Sequence, residues 1–196
     1  MFLMEYPKRS NNMEIGYLQQ LGVEPGKFII AVGRITPEKG FGYLIDAYKK
    51  SGLCDNKLVI AGGVEAESSY GKELQKNAKG ANVVFAGFVQ GEELEQLYKY
   101  ARLYVLSSVN EGFPLVLLEA MSYGLDVLVS DIPATHLVEL NKEDYFEKAN
   151  VRDLTSKLQY KICTPSIKRN YDLKDFDWEK IANKVDVIYH NLMGIQ

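Results

Sequence analysis

Cysteine and histidine are scarce in this sequence, with two of each among its 196 residues. Cys54 and Cys163 stand alone and far apart, so they form neither a disulfide framework nor the paired spacing of a zinc site. We interpret them as reduced thiols, which are typical of a cytoplasmic protein. His136 has no metal-ligand residue at a suitable spacing, and we expect it to be structural.

The sequence also lacks a basic excess and a long apolar run. Its net charge is −3 and its 23 lysines and arginines are scattered, which argues against a nucleic-acid partner. No apolar stretch reaches the roughly 18 residues that a membrane span needs. The first residues are too few and too acidic for a signal peptide. Because 46% of the residues are hydrophobic, the chain can bury a core, and we predict a soluble, cytoplasmic domain.

A dinucleotide fingerprint is absent too, because Gly33, Gly40 and Gly42 do not have G-x-G-x-x-G spacing. This excludes a nicotinamide dehydrogenase. Short, β-rich apolar runs instead alternate six times with segments of helical periodicity. We therefore predict an α/β fold, with a Rossmann-like parallel sheet flanked by helices on both faces. Gly62 and Gly63 end the second run, where they fit either close approach of a ligand or a tight turn.

The most informative stretch is residues 107–124, SSVNEGFPLVLLEAMSYG. It follows a short apolar run, Pro114 stands where a helix would begin, and Gly124 fits the helix C-cap. The loop before Pro114 thus lies at the carboxyl end of a strand, where open parallel sheets bind ligands. The N–H groups of the first helical turn, including those of Leu115 and Val116, form a site for an anion such as a diphosphate.

Two acidic and two basic residues lie near these strand ends. Glu111 and Glu119 flank the helix start, and carboxylates accept hydrogen bonds from sugar hydroxyls, so one could hold a ribose and the other a hexose. From spacing alone, a helix-start acid and a solvated acid are also a sufficient explanation. Arg34 and Lys39 follow the first predicted strand. Two cations on one loop suit a diphosphate, and ordinary solvated charges fit the sequence equally well.

The string from Glu111 to Glu119, EGFPLVLLE, closely resembles the signature of the retaining glycosyltransferase family 4, the group 1 glycosyltransferases. A second string, VGRITPEKG, is similar to the family's phosphate-binding motif. The resemblance extends from Phe28 to about Leu192. It implies the C-terminal, nucleotide-sugar-binding half of the two-domain GT-B fold.

This resemblance also predicts how the chain is organised. Residues 1–26 would be a leading linker segment, 27–160 the Rossmann-like donor domain, and 161–196 a C-terminal linker with a terminal helix. In the family an N-terminal acceptor domain comes first, so we expect this chain to be a separated half or a truncated form. The family's terminal helix packs on that acceptor domain. Its apolar residues should then be partly exposed here, namely Trp178, Ile181, Val185, Ile188 and Tyr189.

The resemblance assigns roles to individual residues. Arg34 and Lys39 would grip the donor phosphates, Glu111 would lie at the donor sugar, and Glu119 would bind the ribose. The nucleobase would lie against the backbone after the third strand. The expected donor-binding residues are Gly33, Arg34, Lys39, Phe88, Val89, Glu111, Gly112, Phe113, Leu115, Val116 and Glu119, and the expected catalytic residues are Arg34, Lys39 and Glu111.

Two departures from the family pattern stand out. Asp126 replaces a usual proline before the fifth strand, and we expect little consequence. The loop 131–139 lacks the common glycine-rich form, which puts donor contacts from it, including those of Glu139, in doubt.

The resemblance implies retaining transfer of a sugar from a nucleoside diphosphate sugar to a hydroxyl, without a metal or cofactor. The acceptor, a saccharide or a lipid-linked one, would bind through the N-terminal domain, so the isolated domain should be inactive. Peripheral membrane association of the full-length protein is compatible with the family. The alternative is a non-catalytic nucleotide-sugar-binding subunit or sensor module.

Overall fold

The computed structural model describes residues 15–63, 69–176 and 178–193. Its centre is an all-parallel, six-stranded sheet with the order β3-β2-β1-β4-β5-β6. The strands are β1 (Phe28–Val32), β2 (Lys57–Ala61), β3 (Val83–Gly87), β4 (Leu103–Leu106), β5 (Val127–Ser130) and β6 (Tyr145–Phe146). This confirms the predicted Rossmann-like α/β fold.

The helices follow the strands closely in sequence. They are α1 (Gly16–Gln20), α2 (Phe41–Ser51), α3 (Ser69–Asn77), α4 (Gly91–Tyr100), α5 (Leu115–Ser122), α6 (Val151–Cys163) and α7 (Trp178–Met193). Pro114 is the residue before α5 rather than its first helical residue. Helix α6 continues past residue 160, where the sequence suggests a linker, as far as Cys163. Its start is fixed as expected, because the Asn150 side chain accepts hydrogen bonds from the first-turn N–H groups.

The central strand β1 packs on both of its faces. Phe28 and Ile30 join a core with α1, α4 and α5, whereas Ile29 and Ala31 face a second core with α2, α3 and α6. All four side chains are fully buried. Strands covered on both faces need apolar residues at every position, and for this reason β1 reads as a continuous apolar run rather than an alternating one.

Since all six strands are parallel, the loops after them meet at one edge of the sheet, the carboxyl edge. Arg34 follows β1, Phe88 follows β3 and Glu111 follows β4. The structure shows why position 62 at this edge is a glycine, because a Cβ atom there would lie 1.8 Å from the carbonyl oxygen of Gly33. The close packing of two strand ends, rather than a ligand, therefore requires glycine at position 62.

The opposite, amino edge holds a network of four charged side chains. Lys161 Nζ lies 2.8 Å from Asp126 Oδ1 and 2.6 Å from Asp144 Oδ1. Arg169 Nη1 lies 3.1 Å and 2.7 Å from the same two oxygens. The Asp144 side chain is fully buried and that of Lys161 is 6% exposed. The Asp126 carboxylate thus has a structural role that the sequence does not reveal, because it balances the charge of Lys161 and Arg169 together with Asp144.

The same network anchors the segment that leaves α6, residues 164–173. The Arg169 N–H donates to the carbonyl of Gly124 over 3.0 Å. The Tyr171 hydroxyl donates to the carbonyl of Leu125 over 2.7 Å. These contacts and the Arg169 ion pairs hold the 164–173 segment against the turn between α5 and β5.

The terminal helix α7 leaves apolar side chains in solvent, as predicted. Val185, Ile188 and Tyr189 are all exposed. The side chains of Trp178 and Ile181 lie outside the described part of the chain. Among the helices that the structure describes, none combines the length and apolar character needed to cross a membrane.

Candidate functional site

The loops after β1 and β4 are joined by two hydrogen bonds, one from a side chain and one from the backbone. The Ser107 hydroxyl donates to the carbonyl of Lys39 over 2.9 Å, and the Val109 N–H donates to the carbonyl of Glu38 over 2.8 Å. Gly40 permits this approach, because it has a φ of +65° and an added Cβ would lie 2.0 Å from the carbonyl oxygen of Ser107. The 3-10 turn Pro37–Lys39 is therefore held against the β4 loop.

Gly40→Ala should lower the free energy of unfolding by about 2–3 kcal/mol, from the left-handed backbone together with the clash. Gly52, at the other end of α2, is a matched control. It has a φ of +68°, but nothing lies within 4 Å of an added Cβ. Gly52→Ala should then cost only about 1–2 kcal/mol. Urea unfolding of both variants checks this, and equal losses would show that the close approach to Ser107 is unimportant.

This junction brings together two residues that lie 72 positions apart in sequence. Lys39 Nζ lies 2.6 Å from Glu111 Oε1. The Ser108 hydroxyl donates to the same Glu111 oxygen over 2.7 Å. The two charged side chains are only 16% and 11% exposed. The carbon chain of Lys39 lies 3.4 Å from the Cβ position of Gly33, so a larger residue at position 33 would press on it.

The remaining predicted residues of the first three loops lie at the same carboxyl edge. Arg34 is exposed just beyond β1. Phe88 is 74% exposed, and its Cβ lies 3.7 Å from the Cβ position of Gly63 at the end of β2. Val89 is buried in the core and can meet a ligand only through its backbone. The position of the nucleobase stays a prediction.

At the start of α5 the predicted residues are open to solvent. Gly112 is exposed, and the side chains of Phe113 and Leu115 are 43% and 40% exposed. The Phe113 ring packs on the ring of Phe176, with the centroids 5.8 Å apart. Phe176 itself packs against the core, and it therefore fixes one side of this loop.

The N–H groups at this helix start differ in part from the expectation. The Leu115 N–H donates to the carbonyl of Phe113 over 3.0 Å, so it is already engaged within the loop. The next bond of the turn runs from the Leu117 N–H to the carbonyl of Pro114 over 2.9 Å. Val116 lies between them, half-buried against the core. A ligand at this helix end would have to displace the Leu115 bond to use that N–H.

Glu119 is positioned by a residue that the sequence does not single out. The buried Tyr98 donates its hydroxyl to Glu119 Oε2 over 2.9 Å, and its ring stacks on Tyr123. Burial raises the pKa of Tyr98 well above its usual range, so the hydroxyl stays a donor. Burial also raises the pKa of Glu119, and the Tyr98 hydrogen bond offsets part of that rise. No spacing links Tyr98 to Glu119, whereas Ser108 could have been found three residues before Glu111.

The loop after β5 makes its own contacts. His136 Nε2 lies 2.7 Å from Asp131 Oδ1, and the His136 ring stacks on Tyr145 with centroids 4.7 Å apart. Glu139 is exposed in this loop. Among the described residues, no group of three or more histidine, cysteine or acidic side chains could hold a metal ion.

A family model described as "Glycosyl transferases group 1" matches residues 17–163. The chain belongs to the group 1 glycosyltransferases. The match covers all six strands that the structure describes, all but the first residue of α1, and helices α2 to α6. This confirms the group 1 membership predicted from EGFPLVLLE, whereas the retaining, family 4 assignment stays a prediction. This group 1 glycosyltransferase chain is 39% identical, over 133 residues, to an uncharacterized glycosyltransferase of Methanocaldococcus jannaschii. That alignment covers 67% of this chain and 34% of the relative, so the chain spans about a third of that protein.

Solved structures extend the comparison. The catalytic domain of cholesterol-alpha-glucosyltransferase from Helicobacter pylori is 31% identical, with a TM-score of 0.60 over 69% of this chain and 86% of that one. HepE from Anabaena, solved in complex with UDP and glucose, has a TM-score of 0.75 at 24% identity. It matches over 91% of this chain and 53% of its own length, and it shares the fold. The Rossmann-like sheet of this group 1 glycosyltransferase chain is thus the kind found in GT-B proteins.

Proposed function

We propose that this domain binds a nucleoside diphosphate sugar at the carboxyl edge of its sheet. In the whole protein the sugar would then pass to a hydroxyl of a saccharide or lipid-linked acceptor, with retention at the anomeric carbon. The observation that carries the proposal is the contact between Lys39 and Glu111, 2.6 Å apart. A cation suited to phosphate beside a carboxylate suited to sugar hydroxyls supports a ligand in which a diphosphate is joined to a sugar.

In this arrangement the diphosphate binds between Arg34, Lys39 and the start of α5. Guanidinium and ammonium groups make strong, charge-assisted hydrogen bonds to phosphate oxygens. During transfer the bond between the anomeric carbon and the phosphate oxygen breaks, and negative charge develops on the departing diphosphate. Cations held at this edge stabilise that charge electrostatically, and the N–H groups at the start of α5 add to it once the Leu115 hydrogen bond to Phe113 is displaced.

The two glutamates orient the uncharged parts of the donor. Glu111 accepts hydrogen bonds from hydroxyls of the transferred sugar, and Glu119, held by Tyr98, accepts them from the ribose. The backbone at Phe88 and Val89 faces the nucleobase. Fixing the donor at three places holds the anomeric carbon in a reactive position, which is how oriented binding raises a rate.

Calorimetric titration of the chain with UDP, GDP, ADP and the matching nucleosides tests this function. At least one diphosphate should bind far more tightly than its nucleoside. Arg34→Ala should lower the affinity for that diphosphate roughly thirtyfold, since a hydrogen bond to a charged group contributes about 2 kcal/mol. It should leave the affinity for the nucleoside unchanged.

Lys76→Ala is the control, because it removes an exposed cation from the far end of α3. It should alter neither affinity. If Arg34→Ala binds the diphosphate as well as the parent does, or if no diphosphate is preferred over its nucleoside, the proposed donor site is wrong.

A further inference from the structure

We propose that Glu111 is the ion-pair partner of Lys39 when no nucleotide is bound, and that Lys39 exchanges this carboxylate for a donor phosphate when the nucleotide binds. When the diphosphate pairs with Lys39, the Glu111 carboxylate would become free to accept hydrogen bonds from the sugar. After transfer, Glu111 would reclaim Lys39 and weaken the hold on the product diphosphate. This inference rests on the proposed donor site, and it adds a coupling between phosphate binding and sugar binding.

The geometry shows that one of the two carboxylate oxygens of Glu111 is already engaged in this structure. Its Oε1 atom accepts from both Lys39, at 2.6 Å, and Ser108, at 2.7 Å. An oxygen that already has two donors has little capacity left for a sugar hydroxyl. With Lys39 withdrawn, Ser108 would still hold the carboxylate in place, and one acceptor position would become free.

Lysine suits a change of partner better than arginine does. Its ammonium is a compact charge on a flexible stem, with three rotatable donors, whereas the guanidinium fork fits one planar partner at a time. The Lys39 stem runs along Gly33, where the absence of a side chain leaves it room. A rotation of the outer carbons is then enough to aim Nζ at either the carboxylate or a phosphate.

Charge makes the two partners competitors. The Lys39 and Glu111 side chains are 16% and 11% exposed, so their attraction is screened less than that of a surface pair. A diphosphate beside Lys39 brings a second anion close to Glu111. A nucleotide without a sugar must therefore displace the carboxylate and leave it without its cation, with the Ser108 hydroxyl still donating to it. A nucleotide sugar supplies hydroxyl donors that compensate it.

The test is Glu111→Gln, titrated with whichever of UDP, GDP or ADP binds the parent most tightly. Gln keeps the shape but does not compete for the ammonium, so the variant should bind the free diphosphate about fivefold more tightly. The preference for the nucleotide sugar over the diphosphate should fall. Glu111→Ala repeats the test with a smaller neutral residue and should show the same gain, and thermal unfolding confirms that each variant folds.

A double-mutant cycle separates an exchange from a general charge effect. In a Lys39→Ala background, Glu111→Gln should bring no gain, because no cation is left to release. Glu119→Gln is the matched control. It removes the same charge, but Glu119 pairs with Tyr98 rather than Lys39, so the diphosphate should not bind more tightly.

Each outcome decides a different point. The exchange is overturned if Glu111→Gln leaves diphosphate affinity unchanged or weaker, or if its gain persists with Lys39→Ala. The underlying phosphate site is overturned instead if Arg34→Ala and Lys39→Ala both bind the diphosphate as the parent does.

Discussion

Asp144→Asn should lower the free energy of unfolding by about 4 kcal/mol, because it leaves Lys161 and Arg169 with a single carboxylate between them. The Asp144 carboxylate is fully buried, and its Oδ1 accepts from Lys161 over 2.6 Å and from Arg169 over 2.7 Å. Urea unfolding at neutral pH measures the loss. Adding Lys161→Met should restore part of the lost stability, since one cation, Arg169, then pairs with one carboxylate, Asp126.

The exposed pair of Glu24 and Lys27 is the control for this prediction. Its charged atoms also lie close, at 2.7 Å, but the two side chains are 70% and 62% exposed. Glu24→Gln should leave the free energy of unfolding nearly unchanged, because solvent screens exposed pairs. If Asp144→Asn were equally harmless, the amino-edge network would contribute nothing to stability.

Acid should remove the same stabilisation. Burial raises the pKa of Asp144, but hydrogen bonds from Arg169 and Lys161 outweigh it and hold the pKa below the ordinary 3.8. A lowered pKa means that the ion pairs contribute fully above 3.8 and are lost as the pH falls through the folded-state value. The difference in stability between the parent and Asp144→Asn should therefore shrink in strong acid.

Glu119→Ala should weaken nucleotide binding by roughly a hundredfold, about 3 kcal/mol, if the carboxylate accepts from both ribose hydroxyls. Nucleotide and nucleotide sugar should lose affinity in the same proportion, because both carry the ribose. Glu111→Gln, in contrast, should separate the two ligands. Calorimetry with matched ligands checks this. Proportional losses in both glutamate variants would refute the division of roles between them.

The pH dependence of nucleotide affinity is a second test of the role of Glu119. Its pKa is raised by burial, and the charged form is the better acceptor, so affinity should fall with acid at a higher pH than for an ordinary glutamate. Tyr98→Phe removes the hydrogen bond that lowers this pKa and should move the fall to still higher pH. Measuring the same pH dependence with Glu119→Gln corrects for the ionisation of the phosphates, because that variant lacks the Glu119 carboxyl but binds the same ligand.

The sequence predicts the fold well, because each strand of a covered parallel sheet is a short apolar run and each helix shows its own periodicity. The proposed donor residues follow from the same pattern. Arg34 and Lys39 lie in the loop after β1, Glu111 lies in the loop after β4, and these two strands are neighbours in the sheet. Residues at the ends of adjacent parallel strands must lie close together, so a local motif is enough to find them.

Contacts between distant segments could not be predicted in this way. Asp126, Asp144, Lys161 and Arg169 come from four separate segments, and their charges look like ordinary surface charges in the sequence. Tyr98 occupies an apolar position of α4, where nothing indicates that its hydroxyl reaches Glu119. The engagement of the Leu115 N–H depends on the exact path of the Phe113 loop, which residue types alone do not determine.

The placement of the charged network at the amino edge has a consequence for how this chain can change. The amino-edge network and the proposed donor residues lie at opposite edges of the same sheet, and among the described residues their side chains have no hydrogen-bond or ion-pair partner in common. Substitutions at sites without shared partners combine nearly additively. We therefore expect that substitutions at Phe88 or Glu111, in the proposed donor site, need no compensating change around Asp144, in evolution or by design.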